Sequence, residues 1–216
     1  MSRVLLLFAK TDKARFIGHL DLIRVFQRAI NRANLPAAYS GGFNPHQKLA
    51  FAVPLALGMD GRNEAAELEL TGDSVSAADI MDRLNAAMPK GLLIHAARFM
   101  EGNEESAAAL AVAACYEMRA RPPDNLAEKV RELIARKSVV ISKKTKNGVM
   151  DTDIRPDIVS LEVFDDTLRA VLSAGGQRGL RPDLLAGALG VSICQVTRVN
   201  VYKTVNGVFK PLFYTF

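Results

Sequence analysis

The spacing of apolar residues divides the first part of the chain into strands and helices. Residues 4–9 form a continuous apolar run, which predicts a buried strand. From His19 to Asn34 the apolar residues recur every three or four positions, which predicts an amphipathic helix. Pro36 limits this helix, because the residue before a proline is pushed out of the α region. The remaining predicted elements here are strands over 48–57, 64–70 and 92–100 and a helix over 76–88.

These elements follow the order strand, helix, strand, strand, helix, strand, which is the βαββαβ pattern of ferredoxin-like domains. A polar segment over residues 101–106 marks a boundary, and the second half repeats the order with one added strand. The sequence therefore predicts an α+β protein of two tandem ferredoxin-like domains, residues 1–104 and 112–216. No residue-by-residue repeat is visible, so the second domain is inferred from the pattern alone.

The predicted helix over residues 19–34 has one basic face. At 100° per residue, Arg24, Arg28 and Arg32 fall roughly opposite the apolar stripe, together with Asp21. Arginines one turn apart are separated by about 6 Å, which resembles the phosphate spacing of a nucleic-acid strand. The alternative is a solvated face on which Asp21 and Arg24 form a weak pair.

The segment after this helix reads as a loop, because residues 39–46 contain too many turn formers for a helix or strand. Gly41 and Gly42 allow a close approach of backbone N–H groups to a ligand. Tyr39 and Phe43 are candidates for stacking on bases of single-stranded nucleic acid, or else they pin the loop to the core. Neighbouring Asn44 and Lys48 are candidate RNA contacts.

Two histidines flank the basic helix. His19 stands at its start and His46 in the loop, and with Asp21 they are candidates for general acid–base chemistry near neutral pH. The alternative for each histidine is a structural hydrogen-bond partner. The third histidine, His95, lies in an apolar run and reads as structural.

The net charge of +5 is unevenly distributed along the chain. Residues 1–50 hold eight Lys and Arg against two Asp and Glu, residues 51–114 hold four against ten, and residues 115–216 hold sixteen against eleven. Two basic segments separated by an acidic one suggest a polarised surface that steers an anionic partner.

The second half has its own basic segment. Residues 143–148 read as a hairpin tip with Asn147-Gly148 as the turn, and they include Lys143, Lys144 and Lys146. Arg155 follows on the return strand. Such a tip either binds a ligand or serves solubility.

Cysteine usage and hydropathy bear on the compartment. Cys115 and Cys194 lie far apart without a CxxC pattern, so no zinc or iron–sulfur ligand set is predicted. Buried free thiols fit a reducing cytoplasm. The apolar run over residues 3–9 reads as a strand rather than a signal peptide, and no stretch is long enough to cross a membrane. We therefore expect a cytoplasmic protein without a membrane partner.

Three motifs carry a resemblance to a known family: RFIGHLDLIRVFQRAINRANLP, AYSGGFNPHQKLAFAVPLALG and the later DIRP. With them the chain resembles the radical-SAM-linked protein family, a bacterial family of unknown function. The resemblance implies a radical-SAM partner that carries the iron–sulfur cluster and S-adenosylmethionine, so no cofactor is expected on this chain. It also implies an RNA-related pathway. The matching motif residues are Arg15, His19, Asp21, Arg24, Arg28, Tyr39, Ser40, Gly42, Phe43, Asn44, Pro45, His46, Lys48, Gly58, Asp153, Arg155 and Pro156.

The sequence departs from the family's pattern at three positions. Gln47 and Ala56 stand where proline is expected, and Ala50 stands where serine is usual. These changes make the loop and the following strand less rigid but leave every charged motif residue in place.

The leading expectation is an RNA-binding adaptor that presents tRNA or rRNA to a radical-SAM protein for modification or processing. Two alternatives stay open. The first is an RNA-acting enzyme that uses His19, Asp21 or His46, and the second is a protein-interaction module whose basic face docks an acidic patch. The residues expected to contact RNA are Arg15, Arg24, Arg28, Arg32, Tyr39, Phe43, Asn44, Lys48, Lys143, Lys144, Lys146 and Arg155.

Overall fold

Most strands lie in one large, mostly antiparallel sheet, with α-helices packed against it. The computed structural model describes residues 1–72, 74–121, 125–145, 148–176 and 178–214. In the first half of the chain the elements are β1 (Ser2–Lys10), α1 (His19–Arg32), β2 (Leu49–Phe51), β3 (Asp60–Leu70), α2 (Ala77–Ala87) and β4 (Leu92–Phe99).

The strands of the first half lie side by side in the order β4-β1-β3-β2, and all neighbours are antiparallel. Successive side chains of a strand point to opposite faces of a sheet, so the continuous apolar run of β1 places apolar side chains on both faces. Val4, Leu6 and Phe8 pack with α1 and α2 in one core cluster. Leu5, which lies between them, belongs to a second cluster. Both faces of β1 are therefore buried.

The second half begins with a one-turn helix and continues with further strands and helices. Its elements are α3 (Ala107–Leu110), β5 (Ala113–Ala120), α4 (Leu126–Ala135), β6 (Val140–Thr145), β7 (Gly148–Asp153), β8 (Ile158–Phe164), β9 (Thr167–Ser173), α5 (Pro182–Leu189), β10 (Ile193–Val205) and β11 (Val208–Pro211). The strand order is β10-β5-β9-β8, again antiparallel, and β11 extends β10 as a hairpin. The hairpin of β6 and β7 forms a separate two-stranded sheet.

The two halves share the sheet, because β10 pairs with β3 in parallel. The paired residues are Thr197 with Asp60 and Arg198 with Gly61. The boundary predicted between residues 104 and 112 falls on α3, but hydrogen bonding of the strands is continuous from one half to the other. The predicted α+β class is confirmed.

The strand predicted over residues 48–57 is much shorter than expected. Only Leu49–Phe51 pair with β3, and Pro54, which has no N–H to donate, lies in the irregular segment that follows. The next strand begins earlier than predicted, at Asp60 instead of Glu64. These extra residues are the ones that meet β10.

None of the helices that the described residues form is long and apolar enough to cross a bilayer.

Candidate nucleic-acid interface

Helix α1 presents the predicted arginine face to solvent. Gly18 is its N-cap, and the apolar stripe that includes Leu22 and Phe26 is buried. Arg24 and Arg28 lie on the opposite, exposed side. The periodicity of the sequence therefore places these guanidinium groups correctly.

The three predicted arginines of α1 differ in their contacts. Arg24 Nη1 donates a hydrogen bond to Asp21 Oδ1 at 3.0 Å, and both side chains are about two-thirds exposed. Arg32 Nη2 donates to the carbonyl oxygen of Ala87, the last residue of α2. Arg28 is exposed and has no partner among the residues that the structure describes. The guanidinium of Arg32 is thus turned toward α2, while Arg28 is available to a ligand.

Hydrogen bonds close the loop that follows α1. Tyr39 and Gln47 pair as an isolated antiparallel bridge at its base. One residue further in, Ser40 N donates to His46 O at 2.8 Å and His46 N donates to Ser40 Oγ at 3.1 Å. The same hydroxyl lies 2.9 Å from His46 Nδ1. These contacts hold the segment between Ser40 and His46 as a closed turn.

The tip of this loop projects an aromatic ring into solvent. Gly42 has φ +103°, a conformation that L side chains rarely adopt, and space for a side chain is open around it. Phe43, the next residue, is fully exposed, and Asn44 is also exposed. Tyr39 at the base is half exposed. Of the two alternatives for Phe43, pinning the loop to the core is therefore wrong.

A buried amide fastens the loop to α1. Gln47 is only 4% exposed, and its Nε2 donates to Asn31 Oδ1 at 2.7 Å. Residues three apart on a helix are neighbours, so Asn31 lies next to Arg28 on the helix surface. The loop consequently lies beside the arginine face. Lys48 points elsewhere, because its Nζ donates to Glu69 Oε2 at 2.7 Å.

The three candidates for acid–base chemistry each have a contact of their own. His19 packs edge-on against the ring of Phe51, with the ring centroids 5.7 Å apart. His46 bonds the Ser40 hydroxyl, and Asp21 bonds Arg24. Within the described part of the chain, no hydrogen bond joins any two of these candidates. His46 therefore has the structural hydrogen bond of the alternative, whereas His19 has a ring contact instead.

Arg15 lies in a separate polar environment after β1. Its Nη1 is 3.4 Å from Asp60 Oδ2, and its guanidinium carbon lies 5.1 Å from the centroid of the Phe16 ring. The backbone oxygen of Arg15 accepts hydrogen bonds from Lys10 Nζ and from Gly58 N. Arg15 is therefore tied to the region where β1, β3 and β10 meet.

The basic hairpin predicted in the second half is formed by β6 and β7. Residues 143–145, predicted at its tip, lie in β6, and the predicted turn residue Asn147 lies outside the described residues. Lys143 pairs with Met150 across the hairpin, whereas the side chain of Lys144 and all of Lys146 lie outside the described residues.

Arg155 does not lie on the return strand as predicted, because β7 ends at Asp153 and Arg155 begins a 3-10 helix. Its Nη1 donates to the carbonyl of Ile158 at 3.3 Å, and the residue is half-buried.

Sequence reasoning missed a buried group of charges at the junction of β1, β3 and β10. Lys10, Glu64 and Arg198 are each less than 5% exposed. Arg198 Nε donates to Glu64 Oε1 at 2.9 Å, and its Nη2 donates to the other carboxylate oxygen. Burial lowers the pKa of Lys10, and the charge of Glu64 works against that lowering. In the sequence, the sign of such a buried group is a charged residue within, or at the end of, an otherwise apolar strand.

No metal ligand set was predicted from the sequence. Across the described ranges, no three His, Cys, Asp or Glu side chains are grouped so as to hold a metal ion.

Cys115 is buried, whereas Cys194 is exposed, so the expectation of two buried thiols is correct only for Cys115. Burial raises the pKa of the Cys115 thiol.

The loop and the arginine face both lie within the part of the chain that matches a protein family. Residues 3–182 match a family described as an uncharacterized protein conserved in bacteria (DUF2344). The chain belongs to this DUF2344 family. A comparison with curated proteins gives no match.

The DUF2344 match covers α1 and the loop after it but ends at Pro182, at the start of α5. Arg198, the buried partner of Glu64, therefore lies beyond the matched segment. The family assignment supports a bacterial domain of unknown function and leaves the ligand to be argued from the site.

Proposed function

We propose that this protein binds RNA through α1 and the adjoining loop and acts as an adaptor for a radical-SAM enzyme. The observation that carries the proposal is the fully exposed ring of Phe43 on a closed loop whose base is bonded to α1 through Gln47 and Asn31, one turn from the unpaired Arg28. An aromatic face next to a cation is the combination that single-stranded RNA requires, since bases stack and phosphates need charge.

Stacking on Phe43 supplies the sequence-tolerant part of binding. A base stacked on an aromatic side chain contributes about 1–3 kcal/mol. The hydrogen bonds between Ser40 and His46 hold the turn before RNA arrives, so less conformational entropy is lost on binding. Tyr39, half exposed at the base of the loop, offers a second face.

Arg24 and Arg28 supply the phosphate contacts. They lie one turn apart, at about 6 Å, on the exposed side of α1. The pair of Arg24 with Asp21 is exposed and contributes well under about 1 kcal/mol, so a phosphate displaces it at little cost. Arg32 contributes less, because it already binds the end of α2.

The strand orders support the RNA proposal at the level of the fold. Each half has the order expected for a ferredoxin-like unit, β4-β1-β3-β2 in the first and β10-β5-β9-β8 in the second. We infer two such units fused through β3 and β10. Folds of this kind present sheets and adjacent loops to RNA, which is an argument by analogy.

The radical-SAM partner and its cofactors come from the family resemblance given by the first two motifs. In this proposal the partner carries the iron–sulfur cluster and S-adenosylmethionine and performs the chemistry on tRNA or rRNA in the cytoplasm. This chain positions the RNA. No acid–base step is assigned to His19, Asp21 or His46.

The proposal is tested by charge reversal on α1. In the double variant Arg24→Glu/Arg28→Glu, affinity for fluorescein-labelled tRNA or an rRNA fragment should fall at least about tenfold, and the salt slope should fall by about 2. Fluorescence anisotropy at several salt concentrations measures both. Arg131→Glu on α4, which reverses an equally exposed arginine, is the matched control and should change little. Unchanged affinity and slope in the double variant would refute the assignment.

The partner is tested by crosslinking in bacterial cells, followed by purification of the tagged chain. The expected result is an iron–sulfur protein that binds S-adenosylmethionine, recovered together with RNA. Recovery of a protein partner without RNA would replace the proposal with a protein-interaction module. RNA turnover by the purified chain alone that is lost in His46→Ala would replace it with an enzyme.

A further inference from the structure

A polar cleft lies where the end of β1 meets β3 and β10. It has a volume of about 300 Å³ and is lined by Thr11, Asp12, Arg15, Asp60, Arg62, Gln195 and Thr197. A second cleft of about 510 Å³ shares Asp12 and Arg15 with it and continues to Lys13, Phe16 and Lys90. Because Asp12 and Arg15 line both, a polar cleft adjoins a basic, aromatic one, and we call the two together the groove.

The polar end contains a carboxylate whose hydrogen bonding is incomplete. Asp60 is 7% exposed, and its Oδ2 accepts from Gln195 Nε2 at 3.2 Å and from Arg15 Nη1 at 3.4 Å. Its Oδ1 is buried and has no hydrogen-bond partner among the described residues. An unsatisfied buried acceptor destabilises the protein, so a ligand that donates a hydrogen bond to it removes that penalty.

The other end of the groove offers a ring and two charges. Phe16 is 62% exposed, and the guanidinium carbon of Arg15 lies 5.1 Å from its ring centroid. Lys13 and Lys90 are both exposed. A flat ring beside ammonium groups suits a stacked base with its phosphate nearby.

We propose that this groove binds a guanine nucleotide of the RNA, with the base edge against Asp60. This inference rests on the proposed function, because it names the base that the RNA presents. Guanine carries two adjacent donors, N1–H and the N2 amino group, and a neighbouring acceptor, O6. One donor bonds the unpaired Oδ1 of Asp60, and the other replaces the 3.4 Å contact of Arg15 with Oδ2, so that the released guanidinium donates to O6. Gln195 and Arg15 supply donors beside that carboxylate. Lys13 and Lys90 bind the phosphate, and Phe16 stacks on the base.

Other small ligands fit the groove less well. An inorganic anion at its polar end would meet the negative charges of Asp12 and Asp60. A metal cation would meet the guanidinium groups of Arg15 and Arg62, which line the same cleft. Adenine has a single donor group on its Watson–Crick edge, so it satisfies Asp60 with one hydrogen bond instead of two.

The proposal is tested with free 5′-GMP and 5′-AMP titrated into the isotope-labelled protein and followed by NMR. GMP should shift the amide signals of Asp60, Gln195 and Thr197 and bind at least about tenfold more tightly than AMP. Shifts confined to other residues, or equal affinity for the two nucleotides, would overturn the proposal.

Two variants assign the contacts. Asp60→Asn should reduce GMP affinity about tenfold and abolish the preference over AMP, because the amide replaces one acceptor with a donor. Phe16→Ala, at an exposed ring, should weaken both nucleotides several-fold, whereas Phe164→Ala, at an exposed ring on β8, should weaken neither. If Asp60→Asn does not fold, the comparison of Phe16→Ala with Phe164→Ala and the titration of the wild type still test the proposal. Retained GMP affinity in Phe16→Ala would contradict the stacking contact.

The same titrations separate this proposal from RNA binding itself. If GMP fails to bind while tRNA affinity still depends on Arg24 and Arg28, only the guanine pocket is wrong. If GMP binds in the groove while no RNA binds the protein, the pocket stands and the RNA function is wrong.

Discussion

At the scale of one residue, Arg198 shows how a buried charge within the sheet is stabilised by a charged partner. The side chain is 2% exposed, and it donates two hydrogen bonds to the carboxylate of Glu64. Two further donors reach the carbonyls of Val53 at 2.6 Å and Pro54 at 3.3 Å. Burial is the largest single influence and works to lower the pKa of Arg198, but the charge and hydrogen bonds of Glu64 together with those of Tyr116 outweigh it, and the pKa lies above its ordinary value. Arg198 thus fastens the segment after β2 to β10.

Removing this arginine should destabilise the protein strongly. Arg198→Met leaves Glu64 charged, buried and unpaired, and the free energy of unfolding should fall by about 3–5 kcal/mol. Urea denaturation followed by circular dichroism measures the change. Arg24→Met, which breaks an exposed pair, is the control and should cost less than about 1 kcal/mol.

A second substitution checks the reason for that loss. Arg198→Met/Glu64→Leu removes both members of the buried ion pair and leaves Lys10 as the remaining buried charge of the group, so it should recover part of the stability. A double variant as unstable as Arg198→Met would mean that the unpaired carboxylate is not the cause.

At the scale of elements, the loop after α1 and the turn after β7 are both fixed by local hydrogen bonds. Asp153, in the DIRP motif, accepts from Val139 N at 2.8 Å and from Arg155 N at 3.0 Å. These backbone donors, that of Arg155 first, hold the pKa of Asp153 below its ordinary value. The motif aspartate therefore closes the base of the β6–β7 hairpin.

Stability should depend on pH through this carboxylate. Because its pKa is lower in the folded state, its contribution is present above the unfolded value of 3.8 and is lost as the pH falls through the folded value. Asp153→Asn should lower Tm at neutral pH, and its difference from the wild type should shrink below pH 3.8. Thermal melts at several pH values measure this. Asp151→Asn, which affects only a bond to the Ser142 hydroxyl, is the control. A pH-independent difference would contradict the account.

Local patterns predicted the elements well and the contacts between distant elements poorly. The boundaries of α1 follow from its apolar periodicity and from Gly18, which are visible within one stretch of sequence. The exposure of Phe43 was one of two alternatives, because an aromatic in a loop can face either way. Arg198 looked like any arginine in a strand, since its partner Glu64 is 134 residues away.

At the scale of the whole molecule, the pairing of β3 with β10 joins the two halves in one hydrogen-bonded sheet. It joins Asp60 to Thr197 and Gly61 to Arg198, and the Arg198–Glu64 pair lies beside it. One hydrophobic cluster also includes Leu5 and Ala65 from the first half together with Leu168 and Leu185 from the second. A sequence pattern that repeats βαββαβ could not reveal this junction, because it depends on pairing between distant strands.

The shared sheet predicts that the halves unfold together. Differential scanning calorimetry should give a single transition whose calorimetric and van't Hoff enthalpies agree. Arg198→Met should lower that one transition without splitting it. Two resolved transitions in the wild type would show that the halves are independent domains and that the junction adds little.

The RNA account is tested most directly by locating the bound RNA on the protein. Ultraviolet crosslinking of the wild type to tRNA or an rRNA fragment, followed by mass spectrometry of the digested complex, identifies the residues that carry a nucleotide. The account predicts an adduct on Phe43 or Tyr39, and it predicts that Arg24→Glu/Arg28→Glu greatly reduces the yield. Adducts confined to other surfaces, or an undiminished yield in the double variant, would contradict it.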